Sequence, residues 1–75
     1  MNNLFGFRDI MIRLRIDELL EEKGKTKYWL AKKTDIDYHA LSKLASGKTV
    51  SIRFDTIEKL SEALNVEISE LFKKE

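Results

Sequence analysis

Apolar residues in the middle of the chain recur at helical spacing in two short runs that a tight turn separates. Thr26 can cap the first run, because its hydroxyl can accept a hydrogen bond from a free amide at a helix start. Leu30 and Ala31 give that run one apolar edge, and the turn falls at Asp35–Ile36. The pattern predicts a short helix that begins after Thr26 and ends at this turn.

The second run divides more clearly into an apolar and a polar face. Asp37 can cap it, Leu41 and Leu44 lie three positions apart on one face, and Gly47 is placed to end it. On the opposite face we expect five side chains to point away from the core: Tyr38, His39, Ser42, Lys43 and Ser46. A helix with such a face is suited to a polar partner.

Residues 10–15 alternate between apolar and other side chains. The apolar set is Ile10, Ile12, Leu14 and Ile16. A period of two favours a short strand, whereas a helix that uses Ile12, Ile16, Leu19 and Leu20 fits the same residues. A lone strand leaves its backbone groups unpaired, so we expect it to pair either with the same strand of a second subunit or with the C-terminal tail. This need for a partner strand is the main reason in the sequence to expect a homodimer.

Three further helices are predicted around this centre. The first covers about residues 16–23 and the next about residues 54–64, and Gly24 and Asn65 are placed to end them. Helical spacing in the latter predicts a core stripe of Phe54, Ile57, Leu60 and Leu64. A last short helix is predicted at about residues 68–73.

Two apolar clusters lie outside these stripes. Tyr28 and Trp29 are adjacent in the chain and therefore about 100° apart on a helix, so at least one must be partly exposed. We interpret them as core or interface residues rather than as a platform for nucleobases. The other cluster, Leu4, Phe5 and Phe7, either packs onto the body or serves a partner.

The composition is that of one helix-rich domain. The chain has 75 residues, of which 43% are hydrophobic and 36% charged, and it contains no proline. We divide it into an N-terminal extension at residues 1–9 and a domain at residues 10–75. The absence of cysteine excludes disulfides and thiolate metal sites, and no apolar run has the length of a signal peptide or a membrane span. We therefore expect a cytoplasmic protein.

The net charge of +1 conceals an uneven distribution. Residues 25–53 contain seven Lys or Arg and two Asp, which gives +5, whereas residues 1–24 sum to −1 and residues 54–75 to −3. The basic part is therefore the segment with the two central helices. Clustered lysines of this kind suit a polyanion, although a merely solvated lysine-rich face fits the charges alone.

The residues give no support for an enzyme or a metalloprotein. His39 is the only histidine, and Asp35, Asp37 and Ser42 near it lie in a turn or on the same exposed helix, without a predicted pocket or oxyanion donor. A second strong metal ligand at helical spacing is also missing. We expect no cofactor and no small-molecule substrate.

The spacing of the central residues resembles the phage repressor and Cro (Xre) type of helix-turn-helix. The residues that carry the resemblance are Leu30-Ala31, Ile36, Asp37, Leu41, Leu44, Gly47-Lys48, residues 52–60, Ala63-Leu64-Asn65-Val66 and Leu71. It covers about residues 12–72 and implies an all-α, compact bundle of five helices whose third helix enters the major groove of DNA. Asp35 departs from the family, which usually has glycine there because the turn tends to be left-handed.

The resemblance implies a small, repressor-like transcriptional regulator that binds double-stranded DNA through two sets of residues. The implied base-reading residues are Tyr38, His39, Ser42 and Lys43. The implied phosphate contacts are Lys27, Ser46, Lys48, Thr49 and Arg53, although Arg53 could instead simply pair with Asp55. The alternative is a protein-interaction module on the same fold, such as an antitoxin or an anti-repressor.

Overall fold

The computed structural model describes residues 12–47 and 51–74, and within them it contains four α-helices, one short 3₁₀ helix and two short strands. In chain order these are β1 (Ile12–Leu14), α1 (Ile16–Lys23), α2 (Lys27–Thr34), α3 (Tyr38–Ser46), α4 (Phe54–Leu64), the 3₁₀ helix (Ile68–Leu71) and β2 (Phe72–Lys74). The predicted number of five helices is wrong, because only four segments of the described chain form α-helices. None of these helices is both long and apolar enough to cross a membrane.

The C-terminal segment is where the fifth helix was predicted. Residues 68–73 instead form one 3₁₀ turn and then a strand. The carboxylate of Glu70 accepts from the amide of Glu67 over 2.9 Å at the start of that turn, and Leu71 is buried at its end. The chain cannot continue as a helix, because from Phe72 onwards its backbone is extended and pairs with β1.

The two strands form an antiparallel ladder that ties the ends of the domain together. Leu14 lies opposite Phe72 and Ile12 opposite Lys74. Just beyond the ladder, the amide of Arg15 donates to the carbonyl of Leu71 over 2.7 Å. Of the two partners expected for the N-terminal strand, the structure therefore has the C-terminal tail, and β1 does not need a second subunit to satisfy this edge.

The helix ends follow the capping chemistry of the sequence. The hydroxyl of Thr26 accepts from the amide of Trp29 over 3.0 Å, and the carboxylate of Asp37 accepts from the amides of His39 and Ala40 over 2.9 and 3.3 Å. Each of the four α-helices is followed by a residue in the left-handed conformation. These residues are Gly24, Asp35, Gly47 and Asn65.

The core receives apolar side chains from every helix and from β1. It consists of Leu14, Ile16, Leu19, Leu20, Leu30, Leu41, Ala45, Ile57, Leu60, Leu64 and Leu71. Trp29 packs against its edge, whereas the side chain of Tyr28 is 69% exposed and does not belong to the core. Leu4, Phe5 and Phe7 lie outside the described residues.

Phe54 corrects the predicted core stripe of α4. Ile57, Leu60 and Leu64 are buried as expected, but the side chain of Phe54 is 85% exposed. Phe54 is the first residue of α4, one turn before Ile57, and no described element covers it there. The periodicity predicted correctly which face of α4 is buried, but it could not show where along that face the packing elements end.

Candidate nucleic-acid interface

The helices α2 and α3 are joined by a tight turn whose geometry depends on two adjacent residues. Asp35 adopts φ 60° and ψ 27°, the left-handed conformation expected for this position. The buried hydroxyl of Thr34 donates to the carbonyl of Leu30 over 2.7 Å and accepts from the amide of Ile36 over 3.3 Å. These two bonds give partners to the buried hydroxyl of Thr34 and to the amide of Ile36 within the turn.

The core fixes which side of α3 faces outwards. Leu41 and Ala45 are buried, and Leu44 is half-buried against the core. On the other side His39, Lys43 and Ser46 are exposed, while Tyr38 and Ser42 are half-buried. The predicted polar face of this helix is therefore turned away from the core.

Aromatic rings gather at the N-terminal end of α3. The rings of Tyr28 and Tyr38 are stacked, with centroids 4.4 Å apart and planes at 20°. The ring of His39 meets that of Tyr38 edge-on at 6.1 Å and 83°. The pairing of Tyr28 with Tyr38 was not predicted. The only signal for it in the sequence is a tyrosine in the first turn of each of two helices that pack together.

Ser46 uses its hydroxyl within its own helix. The hydroxyl donates to the carbonyl of Lys43 over 3.0 Å, and the side chain remains exposed. Its lone pairs and, after rotation, its proton remain available to a ligand. Lys48 and Thr49, which follow in the chain, lie outside the described residues.

The two remaining predicted phosphate contacts are engaged with carboxylates. Nζ of Lys27 lies 3.6 Å from Oδ1 of Asp17, and that lysine side chain is 30% exposed. Nε of Arg53 lies 3.2 Å from Oδ1 of Asp55, so the pairing considered as an alternative for this arginine is present. The Arg53 side chain is nevertheless 84% exposed, and an exposed pair of this kind is worth only about 0–1 kcal/mol. It does not prevent the guanidinium from turning to another anion.

Arg53 and Lys43 also line one shallow groove. The groove has a volume of about 240 Å³ and runs between α3 and the start of α4, with Ile36, Ala40, Leu44, Ser51, Ile52 and Thr56 as its other lining residues. Lys43 of α3 and Arg53, just before α4, thus place two cations beside this groove. These two side chains are the part of the predicted site that the fold brings together across elements.

Glu18 in α1 takes part in an ion-pair network with two basic residues. Glu18 bonds to Nε of Arg15 over 2.9 Å and to Nζ of Lys73 over 3.0 Å. These two hydrogen bonds, that of Arg15 above all, hold the pKa of the Glu18 carboxyl below its usual range. Within residues 12–47 and 51–74, no three His, Asp or Glu side chains are placed to hold a metal ion.

A family comparison agrees with this geometry. The Cro/C1-type helix-turn-helix DNA-binding domain matches residues 15–75, which is most of the chain. The chain belongs to the Cro/C1-type family. None of the curated proteins compared with it matches.

A solved structure that is similar to this chain is also described as that of a DNA-binding protein. This Cro/C1-type domain is similar to the crystal structure of a "putative DNA-binding protein" from Bacteroides fragilis, with 32% identity and a TM-score of 0.74. The similarity covers 84% of this chain and 100% of that chain. In this Cro/C1-type domain, α2 and α3 form the helix-turn-helix, and the family to which it belongs is one of DNA-binding domains.

Proposed function

We propose that this Cro/C1-type domain is a small, repressor-like transcriptional regulator that binds specific double-stranded DNA sequences by inserting α3 into the major groove. The observation that carries the proposal is the orientation of α3. Its apolar side is anchored in the core by Leu41 and Ala45, and its polar side is presented outwards within the basic part of the chain. A single helix of this kind fits the width of the major groove.

Four side chains of α3 are proposed to read bases. Lys43 can donate to O6 and N7 of guanine, and His39 can donate to the same acceptors. Tyr38 can contact a thymine methyl group with its ring, and Ser42 can exchange hydrogen bonds with more than one base. His39 and Lys43 are exposed, and Tyr38 and Ser42 keep part of their surface accessible, so the proposal requires no rearrangement of α3.

A second set is proposed to hold the sugar-phosphate backbone. Its members are Lys27, Ser46, Lys48, Thr49 and Arg53. Lys27 starts α2 and Arg53 immediately precedes α4, so the cations flank α3 rather than lie on it. Contacts of this kind supply affinity and fix the register of the protein on the duplex, whereas the side chains of α3 supply specificity.

Selection of bound oligonucleotides from a random pool tests the proposal directly. We expect the selected sequences to share a short motif, and alanine at Lys43 to relax the preference at one or two base pairs within it. Recovery of unrelated sequences at low salt would reduce the function to non-specific DNA binding. Failure to recover any DNA would exclude the proposal.

The alternative is a protein-interaction module that uses the same fold. The observation in its favour is Phe54, a large apolar side chain that is 85% exposed. The two functions respond differently to salt, because DNA binding weakens steeply as counterions compete, whereas an apolar protein contact changes little. A partner protein that binds equally well at about 50 and 200 mM salt and is lost on Phe54→Ser would favour this second function.

A further inference from the structure

The stacked pair of Tyr28 and Tyr38 joins the N-terminal turns of α2 and α3. Tyr28 is the second residue of α2, and Tyr38 is the first residue of α3. Their centroids are 4.4 Å apart, which is close for a stacked aromatic pair. Neither ring is part of the hydrophobic core.

Stacking restricts a side chain that would otherwise be free to turn. Tyr38 follows the cap of α3, where no preceding helical turn limits its rotamers. Tyr28 covers one face of its ring, and His39 lies against it edge-on. The ring of Tyr38 is therefore held in one orientation at the end of the helix that is proposed to enter the groove.

We propose that Tyr28 is a positioning residue that sets the base preference of α3 by holding the ring of Tyr38. The inference rests on the proposed function and names a residue that does not itself read a base. Nζ of Lys27, its neighbour in the chain, pairs with Asp17, whereas the ring of Tyr28 stacks directly on that of Tyr38.

The exposure of Tyr28 makes the inference testable without damage to the fold. Its side chain is 69% exposed, and the cap of α2 uses the hydroxyl of Thr26 and the amide of Trp29 rather than this ring. Removing the ring therefore leaves both the core and the cap in place. Thermal unfolding of each variant would verify this.

The experiment measures binding of wild type, Tyr28→Phe, Tyr28→Ala, Tyr38→Ala and the double alanine variant to the selected DNA and to its single-base variants. We expect Tyr28→Ala to lose about threefold to tenfold in discrimination at the base pairs where Tyr38→Ala loses it. Tyr28→Phe keeps the stack and should retain the discrimination. The double variant should resemble Tyr38→Ala, because Tyr28 acts only through that ring.

Three results would overturn the inference while leaving the proposed function intact. These are unchanged discrimination in Tyr28→Ala, an equal loss on every DNA sequence, and a double variant that is clearly worse than Tyr38→Ala. The equal loss would indicate a backbone contact by Tyr28 itself. A wild-type protein that prefers no sequence would overturn the proposed function and this inference with it.

Discussion

Asp35 is a single residue on which the geometry of the helix-turn-helix depends. Its φ of 60° belongs to the left-handed region, which a side chain with a Cβ adopts at a cost of about 1–2 kcal/mol and aspartate at somewhat less. Glycine has no such cost in the folded state, but it gains entropy in the unfolded state. At a position with a positive φ, the strain that glycine removes from the folded state exceeds the entropy that it adds to the unfolded state.

We therefore expect Asp35→Gly to stabilise the domain by about 0.5–1 kcal/mol, which corresponds to an increase in melting temperature of several degrees. Thermal unfolding followed by circular dichroism measures it. Gly24→Ala is the matched control, because Gly24 also has a positive φ, of 65°, and an added Cβ would meet no atom within 4 Å. That variant should lose about 1 kcal/mol. A destabilised Asp35→Gly would show that the aspartate side chain contributes more than its backbone costs.

Lys43 differs from the other lysines in what it is proposed to contact, because it alone is proposed to read a base. We expect Lys43→Ala to cost about 1–3 kcal/mol on the selected DNA and much less on random DNA. Lys59→Ala is the control, since Lys59 is also exposed but lies on α4 beside Lys33, Thr34, Glu62 and Ala63. Titrations with labelled duplexes measure both. Equal losses of binding free energy on the selected and the random DNA would indicate that Lys43 contacts the sugar-phosphate backbone of DNA rather than a base.

Residue roles that depend on local backbone geometry could be predicted from the sequence. The caps at Thr26 and Asp37 and the left-handed Asn65 depend only on neighbouring residues, and the structure agrees with each. Roles that depend on distant residues could not be predicted. The exposure of Phe54 depends on which element lies above it, and the stacking of Tyr28 depends on the angle between two helices.

At the scale of elements, the same distinction explains the error at the C-terminus. Ile68, Leu71 and Phe72 have spacing that a helix and a turn followed by a strand both accommodate. The pairing with β1 decides between them, and this pairing joins residues about 60 positions apart. Sequence periodicity could propose that the N-terminal strand needs a partner, but it left two candidates for that partner.

An ion-pair network reinforces the junction of α1 with this sheet. Arg15 bonds to Glu18, to Glu22 and to the carbonyl of Glu70, and Glu18 also bonds to Lys73 in β2. The pKa of Glu18 is lowered by its hydrogen bonds to Arg15 and Lys73, and that of Arg15 is raised by Glu18. A carboxyl with a lowered pKa stabilises the folded state above its unfolded pKa, and this stabilisation is lost as the pH falls through the folded pKa.

We expect Glu18→Gln to lower the melting temperature at neutral pH and to converge with wild type at acidic pH. The difference should shrink as the pH falls from about 4.5, the ordinary carboxyl value, through the lower pKa of Glu18 in the folded state, because the carboxyl is protonated first in the unfolded chain and then also in the folded one. Glu21→Gln is the control, since Glu21 is an exposed carboxyl of α1 that makes no ion pair with any other residue that the structure describes. If the difference in melting temperature between wild type and Glu18→Gln did not depend on pH, packing rather than charge would explain the effect of Glu18.

At the scale of the whole molecule, two copies are proposed to act on one DNA site. The need of β1 for a partner strand is no longer a reason to expect a second copy, because β1 already pairs with β2. The reason is instead the small size of the interface, since a single helix-turn-helix reads only a few base pairs and dimers of such domains bind two half-sites one helical turn apart. A palindromic motif among the selected sequences would support this arrangement.

The salt dependence of binding measures how many copies act together. Three of the proposed phosphate contacts are cations, Lys27, Lys48 and Arg53, so one copy should give a slope of about −2.7 in log K against log salt, and two copies about −5.4. Between about 50 and 200 mM salt, affinity for a half-site should therefore fall about 40-fold, and affinity for a full palindrome about 2,000-fold. Lys48→Ala should reduce each slope by about 0.9 per copy.

Equal slopes on half-site and palindrome would exclude a dimer on DNA, and light scattering of the free protein and of the complex would then show one copy in each. A slope near zero on both duplexes would exclude the proposed phosphate contacts and favour the protein-interaction module.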